Sequence, residues 1–198
     1  MSDLKSIVIE LPRCDDRLEE VKSEVNRKDS VIPLLMLANE CRANSTYLSQ
    51  KVYDLEATWQ ELVGALLYCI DDLKFTSEQA NSYFRSDIYL LTSAGTLFVI
   101  EFKHMKDGEI SEESAKVPPA QWTDVEKKRA KERALEGIQR IVYKKYDISA
   151  FSRSNDREIK SVQYVSVVAV NSGLKKQFAY LLQQPKNDPS SQVEYYFP

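Results

Sequence analysis

The sequence predicts an α/β protein in which a central mixed β-sheet is flanked by helices. Three observations carry this. Two apolar runs, Ile88-Tyr89-Leu90-Leu91 and Phe98-Val99-Ile100-Glu101-Phe102, stand on either side of a short Gly-containing turn, as in a hairpin. Ser161-Val162-Gln163-Tyr164-Val165-Ser166-Val167-Val168-Ala169-Val170 is rich in β-branched residues and reads as a further strand. Leu55, Trp59, Leu62, Leu66 and Ile70 recur at helical spacing before the hairpin, and a long Ala/Lys/Glu/Arg segment follows it.

In chain order, Ser6-Ile7-Val8-Ile9-Glu10-Leu11 alternates like a short strand and stops at Pro12. A helix is expected from about Asp15 to Lys28, breaking between Asp29 and Pro33. Pro33 suits the first turn of a second helix running through Cys41. Asn44-Ser45 offers an N-cap for a third helix, to about Leu73. Trp59 falls on its apolar stripe and is read as core. After the hairpin, Met105 to Trp122 contains Gly108 and Pro118-Pro119 and reads as a flexible loop near the site. A basic helix over 123–146 precedes the Ser161–Val170 strand, and Asn171-Ser172-Gly173 leads to a helix expected over 174–184. Val193-Glu194-Tyr195-Tyr196-Phe197 is either an added edge strand or a cut end. The resulting organisation is a helical extension over 1–49, a main domain over 50–184 and a tail over 185–198.

At 198 residues the chain suits one domain with a sizeable core. No apolar run is long enough to span a bilayer, and the first residues lack a basic region followed by an apolar stretch. The chain therefore reads as cytoplasmic, with delivery into a host cell as an effector left open and no membrane partner expected. Cys14, Cys41 and Cys69 are far apart and odd in number, which excludes a disulfide framework or a C-x-x-C zinc site. A single histidine, His104, argues against histidine-based metal or triad chemistry and is read as a surface residue at a strand edge.

The net charge of −3 does not advertise a nucleic-acid binder, but its distribution is uneven. Residues 123–146 hold eight Lys/Arg against four acids. Lys127, Lys128, Lys131, Arg140 and Lys144 are the candidates for a basic face along a phosphate backbone. The alternative is a solvated helix laced with pairs such as Lys128–Glu132.

The hairpin carries the chemistry. Ser93-Ala94-Gly95 between Thr92 and Thr96 suits a three-residue loop with Gly in the left-handed position. That register pairs Ile88 with Ile100 and sets Asp87 opposite Glu101, with Lys103 on the same face. A two-residue loop would oppose Asp87 to Phe102 and split the cluster. Two carboxylates on neighbouring strands suit a hard divalent cation such as Mg²⁺ or Mn²⁺, with the Phe102 carbonyl as a further oxygen ligand. Lys103 is then placed to orient or activate a water for phosphodiester hydrolysis. A plain Asp–Lys or Glu–Lys ion pair is the competing reading.

The order of these pieces resembles the PD-(D/E)xK nuclease superfamily. The pieces are Glu61 in Trp59-Gln60-Glu61-Leu62, Arg85-Ser86-Asp87-Ile88, Glu101-Phe102-Lys103, and Ala134-Leu135-Glu136-Gly137-Ile138-Gln139 through Tyr143. The likeness spans about residues 50 to 182 and is closest to compact nuclease modules of bacterial ATPase-linked proteins and of factors from intracellular bacteria. It implies a restriction-endonuclease-like core, metal binding by Asp87 and Glu101, Lys103 as the catalytic lysine, and DNA as substrate. It further implies that Gln139 and Tyr143, at i and i+4 on one helical face, steady Lys103 or a DNA phosphate. Glu61 becomes a candidate extra metal ligand, with Glu56 as rival and a solvated helix residue as the alternative. The chain departs from the pattern at Gly137, where relatives often carry Gln, and in the long insertion over 105–122. The rival to a nuclease is a non-catalytic interaction module on the same fold, with the N-terminal helices as a surface for a protein partner.

Overall fold

The computed structural model describes residues 14–28, 30–44, 55–70, 72–77, 87–105, 108–143, 148, 151, 156–170, 179–185 and 194–196. The expected strand at 6–11 and the Asn44-Ser45 cap region beyond residue 44 lie outside them. The described elements are α1 (Cys14–Lys28), α2 (Ile32–Asn44), α3 (Leu55–Cys69), β1 (Lys74–Ser77), β2 (Ile88–Leu91), β3 (Thr96–His104), α4 (Asp124–Tyr143), β4 (Ser161–Ala169), β5 (Ala179–Pro185) and β6 (Glu194–Tyr196).

The six strands form one mixed sheet in chain order. Every neighbouring pair is antiparallel except β3 and β4, which run parallel with Glu101 beside Ser166 and Lys103 beside Val168. A parallel pair needs a long crossover, and the insertion followed by α4 supplies it. The central strands β2 and β3 are apolar on both faces because both faces are covered: β2 is wholly buried, and β3 is buried from Thr96 to Phe102.

One face of the sheet packs against α1, α2 and α3. Val21, Val25, Leu34, Leu37, Trp59, Leu62 and Leu66 join Ile88, Phe98, Ile100, Phe102 and Val165 there in one core. Residues 14–44 thus contribute to the same core as the main domain. The other face packs against α4 and the insertion, through Ala130, Ala134, Ile138, Ile141 and Trp122 against Leu97, Val99 and Val168.

Two expectations need correction, and one strand was not anticipated. Residues 179–184 are strand rather than helix, since β5 pairs with β4 from Ala169↔Ala179 to Gln163↔Pro185. A short apolar run such as Tyr180-Leu181-Leu182 has no decisive period, and the open edge of β4 settles it. The segment before the hairpin includes β1, whose Phe75 meets Tyr68 edge-on at 4.7 Å between ring centroids. A four-residue strand at a sheet edge, with one large apolar side chain, Phe75, carries little apolar signal.

The insertion is also more ordered than a bare loop. It folds into 3₁₀ turns at Ser114–Lys116 and Pro119–Gln121, and Ala115 and Trp122 are buried. Thr123 and Glu126 form a capping box at the start of α4, the Glu126 N–H donating to Thr123 Oγ1 at 3.3 Å and the Thr123 N–H to Glu126 Oε2 at 3.0 Å. Buried Glu126 also accepts from the Ser111 N–H and from the Ser114 and Thr123 hydroxyls. Those donors outweigh the cost of burial and bring its carboxyl down to about 2.

Candidate active site

The hairpin has the three-residue loop. The Thr92 N–H donates to Thr96 O at 3.0 Å, the Gly95 N–H donates to Thr92 O at 3.2 Å, and Gly95 has φ +96°. A side chain at Gly95 would also crowd Glu158 O and Lys160, each at 3.0 Å. Ile88 pairs with Ile100 and Leu90 with Phe98, which sets Asp87, one step out, opposite Glu101. The register read from the turn is the register found. It sends Glu101 and Lys103 toward α4, on the face opposite Ile100 and Phe102.

At the end of this pair the charged groups interlock. Asp87 Oδ2 accepts the Phe102 N–H at 2.6 Å, and the Asp87 carbonyl accepts from Gln60 Nε2 of α3 at 3.0 Å. Glu101 is fully buried. Its Oε1 accepts from Lys103 Nζ at 2.9 Å and lies 2.9 Å from Arg140 Nε, an ion pair by distance. Lys103 Nζ donates as well to the Phe102 carbonyl, at 3.0 Å. Burial first, and the neighbouring Glu101 charge second, push the Asp87 carboxyl up to about 7 against the opposing pull of the Phe102 N–H, Lys103 and Arg140.

Arg140 enters this cluster because of the way α4 sits. Gly137, one turn earlier, lies directly over Ser166 of β4: a Cβ there would fall 2.1 Å from Ser166 Oγ and 2.9 Å from Ser166 Cβ, with Lys103 Cγ at 3.5 Å. Only glycine allows this approach of helix to sheet. Ser166 Oγ is itself buried, next to Glu101 in register, with no hydrogen-bond partner among the described residues.

Other expected site residues fall elsewhere. Gln139 is exposed and Tyr143 is 88% exposed. Neither steadies Lys103, because each lies nine residues beyond a buried alanine, Ala130 or Ala134, and nine residues are about two and a half helical turns. Glu61 rides on α3, against the opposite face of the sheet, and is half-buried. No hydrogen bond or ion pair joins it to Asp87 or Glu101, whereas its neighbour Gln60 does reach Asp87. The Glu56 side chain lies outside the described residues. Among the described residues no three His, Cys, Asp or Glu side chains are grouped to hold a metal.

The basic face of α4 is partly spent on structure. Arg129 donates to the carbonyls of Gly108 and Glu109, and Arg133 makes a two-pronged pair with Glu109, at 3.1 and 2.6 Å. Lys128 is exposed, Lys127 and Lys131 are half-buried, and Lys144 lies outside the described residues. His104 is exposed at the end of β3, as expected of a strand-edge residue.

Sequence reasoning placed Arg140 on a phosphate-facing surface and overlooked its approach to Glu101. It noted Gly137 only as a departure from the resembled pattern and gave Ser166 and Gln60 no role. The spacing of Ala130, Ala134, Ile138 and Ile141 was the available signal, since it turns Gly137 inward. No protein-family model, no curated protein and no solved structure matches this chain. Among the described residues no helix is long and apolar enough to cross a membrane.

Proposed function

We propose that this protein is a metal-dependent nuclease of the PD-(D/E)xK type, with a restriction-endonuclease-like core acting on DNA. The observation that carries the reading is the position of the Lys103 ammonium, shared between Glu101 Oε1 and Phe102 O beside the raised carboxyl of Asp87. A cation is already accommodated among the oxygen atoms expected to bind one. Asp87, Glu101 and the Phe102 carbonyl would hold Mg²⁺ or Mn²⁺, ions that accept one or two carboxylates and keep several waters. Such an ion supplies Lewis acidity and lowers the pKa of bound water.

The chain's own groups do the rest. Lys103, whose ammonium lies against Glu101 Oε1 and Phe102 O, would orient the attacking water and offset charge gathering on the phosphoryl oxygens. The Phe102 N–H keeps Asp87 oriented, and Gln60 anchors the Asp87 backbone from behind.

A second reading has its own support: Lys103 and Arg140 already satisfy Glu101, and the Phe102 N–H satisfies Asp87. In that reading the charges are structural and the fold is a binding module. Supercoiled plasmid with Mg²⁺ or Mn²⁺ separates the two. Cleavage by the parent that Asp87→Ala and Lys103→Ala both lose supports the nuclease; equal background in all three supports the module.

A further inference from the structure

Arg140 bridges the interior and the surface. Its Nε is buried 2.9 Å from Glu101 Oε1, yet 37% of the side chain is exposed, so the exposed part belongs to the other atoms of the side chain. Glu101 Oε1 is thereby shared between Arg140 and Lys103, the latter only 12% exposed. A divalent ion taking Glu101 competes with both cations and repels both. The Lys103 side chain is nearly buried, whereas part of the Arg140 side chain faces solvent. Gly137 holds the helix backbone close to Ser166, so the base of this arm stays near the site.

We propose that Arg140 is the phosphate-gripping residue of this site, held on Glu101 at rest and passed to a non-bridging oxygen of the DNA phosphate when a divalent cation takes Glu101. The proposal rests on the metal-nuclease reading and adds to it a residue with two alternating partners. The chemistry fits: a guanidinium stays charged at any working pH and forks onto carboxylate and phosphate alike. Lys131 and Lys127 lie 9 and 13 residues earlier on α4, about two and a half and three and a half turns, so they stand on other sides of the helix and do not share the phosphate that Arg140 would grip.

The test measures Mn²⁺ affinity by calorimetry and, separately, the affinity of a short labelled DNA duplex in Ca²⁺ across a salt series. Parent, Arg140→Gln and Arg140→Lys are compared. Arg140→Gln should bind Mn²⁺ as well as the parent or more tightly. Its duplex affinity should fall about tenfold, as for loss of one charged hydrogen bond, and its salt slope should shrink by about one. Arg140→Lys keeps the charge and should keep the slope while losing part of the affinity. If the parent binds both Mn²⁺ and duplex but Arg140→Gln matches it in affinity and slope, the Arg140 assignment is overturned alone. A parent that binds neither overturns the nuclease reading, and this assignment with it.

Discussion

Glu101 of β3 and Arg140 of α4 meet at 2.9 Å, across the layer that separates sheet from helix. Lys103 shares the same carboxylate oxygen. One fully buried acid thus holds two bases from two elements, and removing it strands both. Glu101→Gln is expected to cost about 2–3 kcal/mol in urea unfolding, below the usual figure for breaking a buried pair because Arg140 is partly solvated. On the proposed metal-nuclease reading it should also abolish Mn²⁺ binding. Unchanged stability would mean that the pair is not held in solution.

Gly137 sets how closely α4 approaches the sheet. Gly137→Ala forces a methyl to within 3 Å of Ser166 atoms attached close to the β4 backbone. A loss of about 1–3 kcal/mol is expected, the range for overpacking. The double variant Gly137→Ala/Ser166→Gly should recover most of it. Thermal or urea unfolding of the three proteins decides, and an equally unstable double variant would place the strain elsewhere.

Glu126 ties the insertion to α4 through donors from Ser111, Ser114 and Thr123. Its carboxyl is depressed from 4.5 to about 2, so its stabilisation is complete above about pH 4.5 and is lost as pH falls through about 2. The loss is on the order of 3 kcal/mol. Acid titration of stability should show this component in the parent and not in Glu126→Gln, which should be less stable at pH 7. Parallel acid curves for the two would contradict the role.

Gln139 and Tyr143 point to solvent. Gln139→Ala and Tyr143→Ala should leave folding stability within about 0.5 kcal/mol of the parent, as usual for surface changes. Mn²⁺ affinity should not move. A drop in Mn²⁺ affinity on Gln139→Ala would show that the helix turns in solution to bring Gln139 to the metal.

Much of the candidate site could be read along one dimension. Strand side chains alternate with a period of two, so the glycine in Ser93-Ala94-Gly95 was enough to align Asp87 with Glu101 and put Lys103 on their face. The layering followed from the same arithmetic, since strands apolar on both faces require cover on both. Helix phase was equally readable, although the family pattern drew attention to Gln139 and away from the inward stripe of Ala130, Ala134 and Gly137.

The amino-acid order by itself thus determined the hairpin, its register and the three central ionisable residues, because these depend on neighbours a few positions apart. Only the tertiary structure decided that residues 179–185 pair as a strand, that the insertion folds onto α4, and that Glu61 stays behind the sheet. It also brought Arg140 to Glu101. That contact depends on the height and rotation of α4 over β4, which Gly137 and Ser166 set between them from positions far apart in the chain.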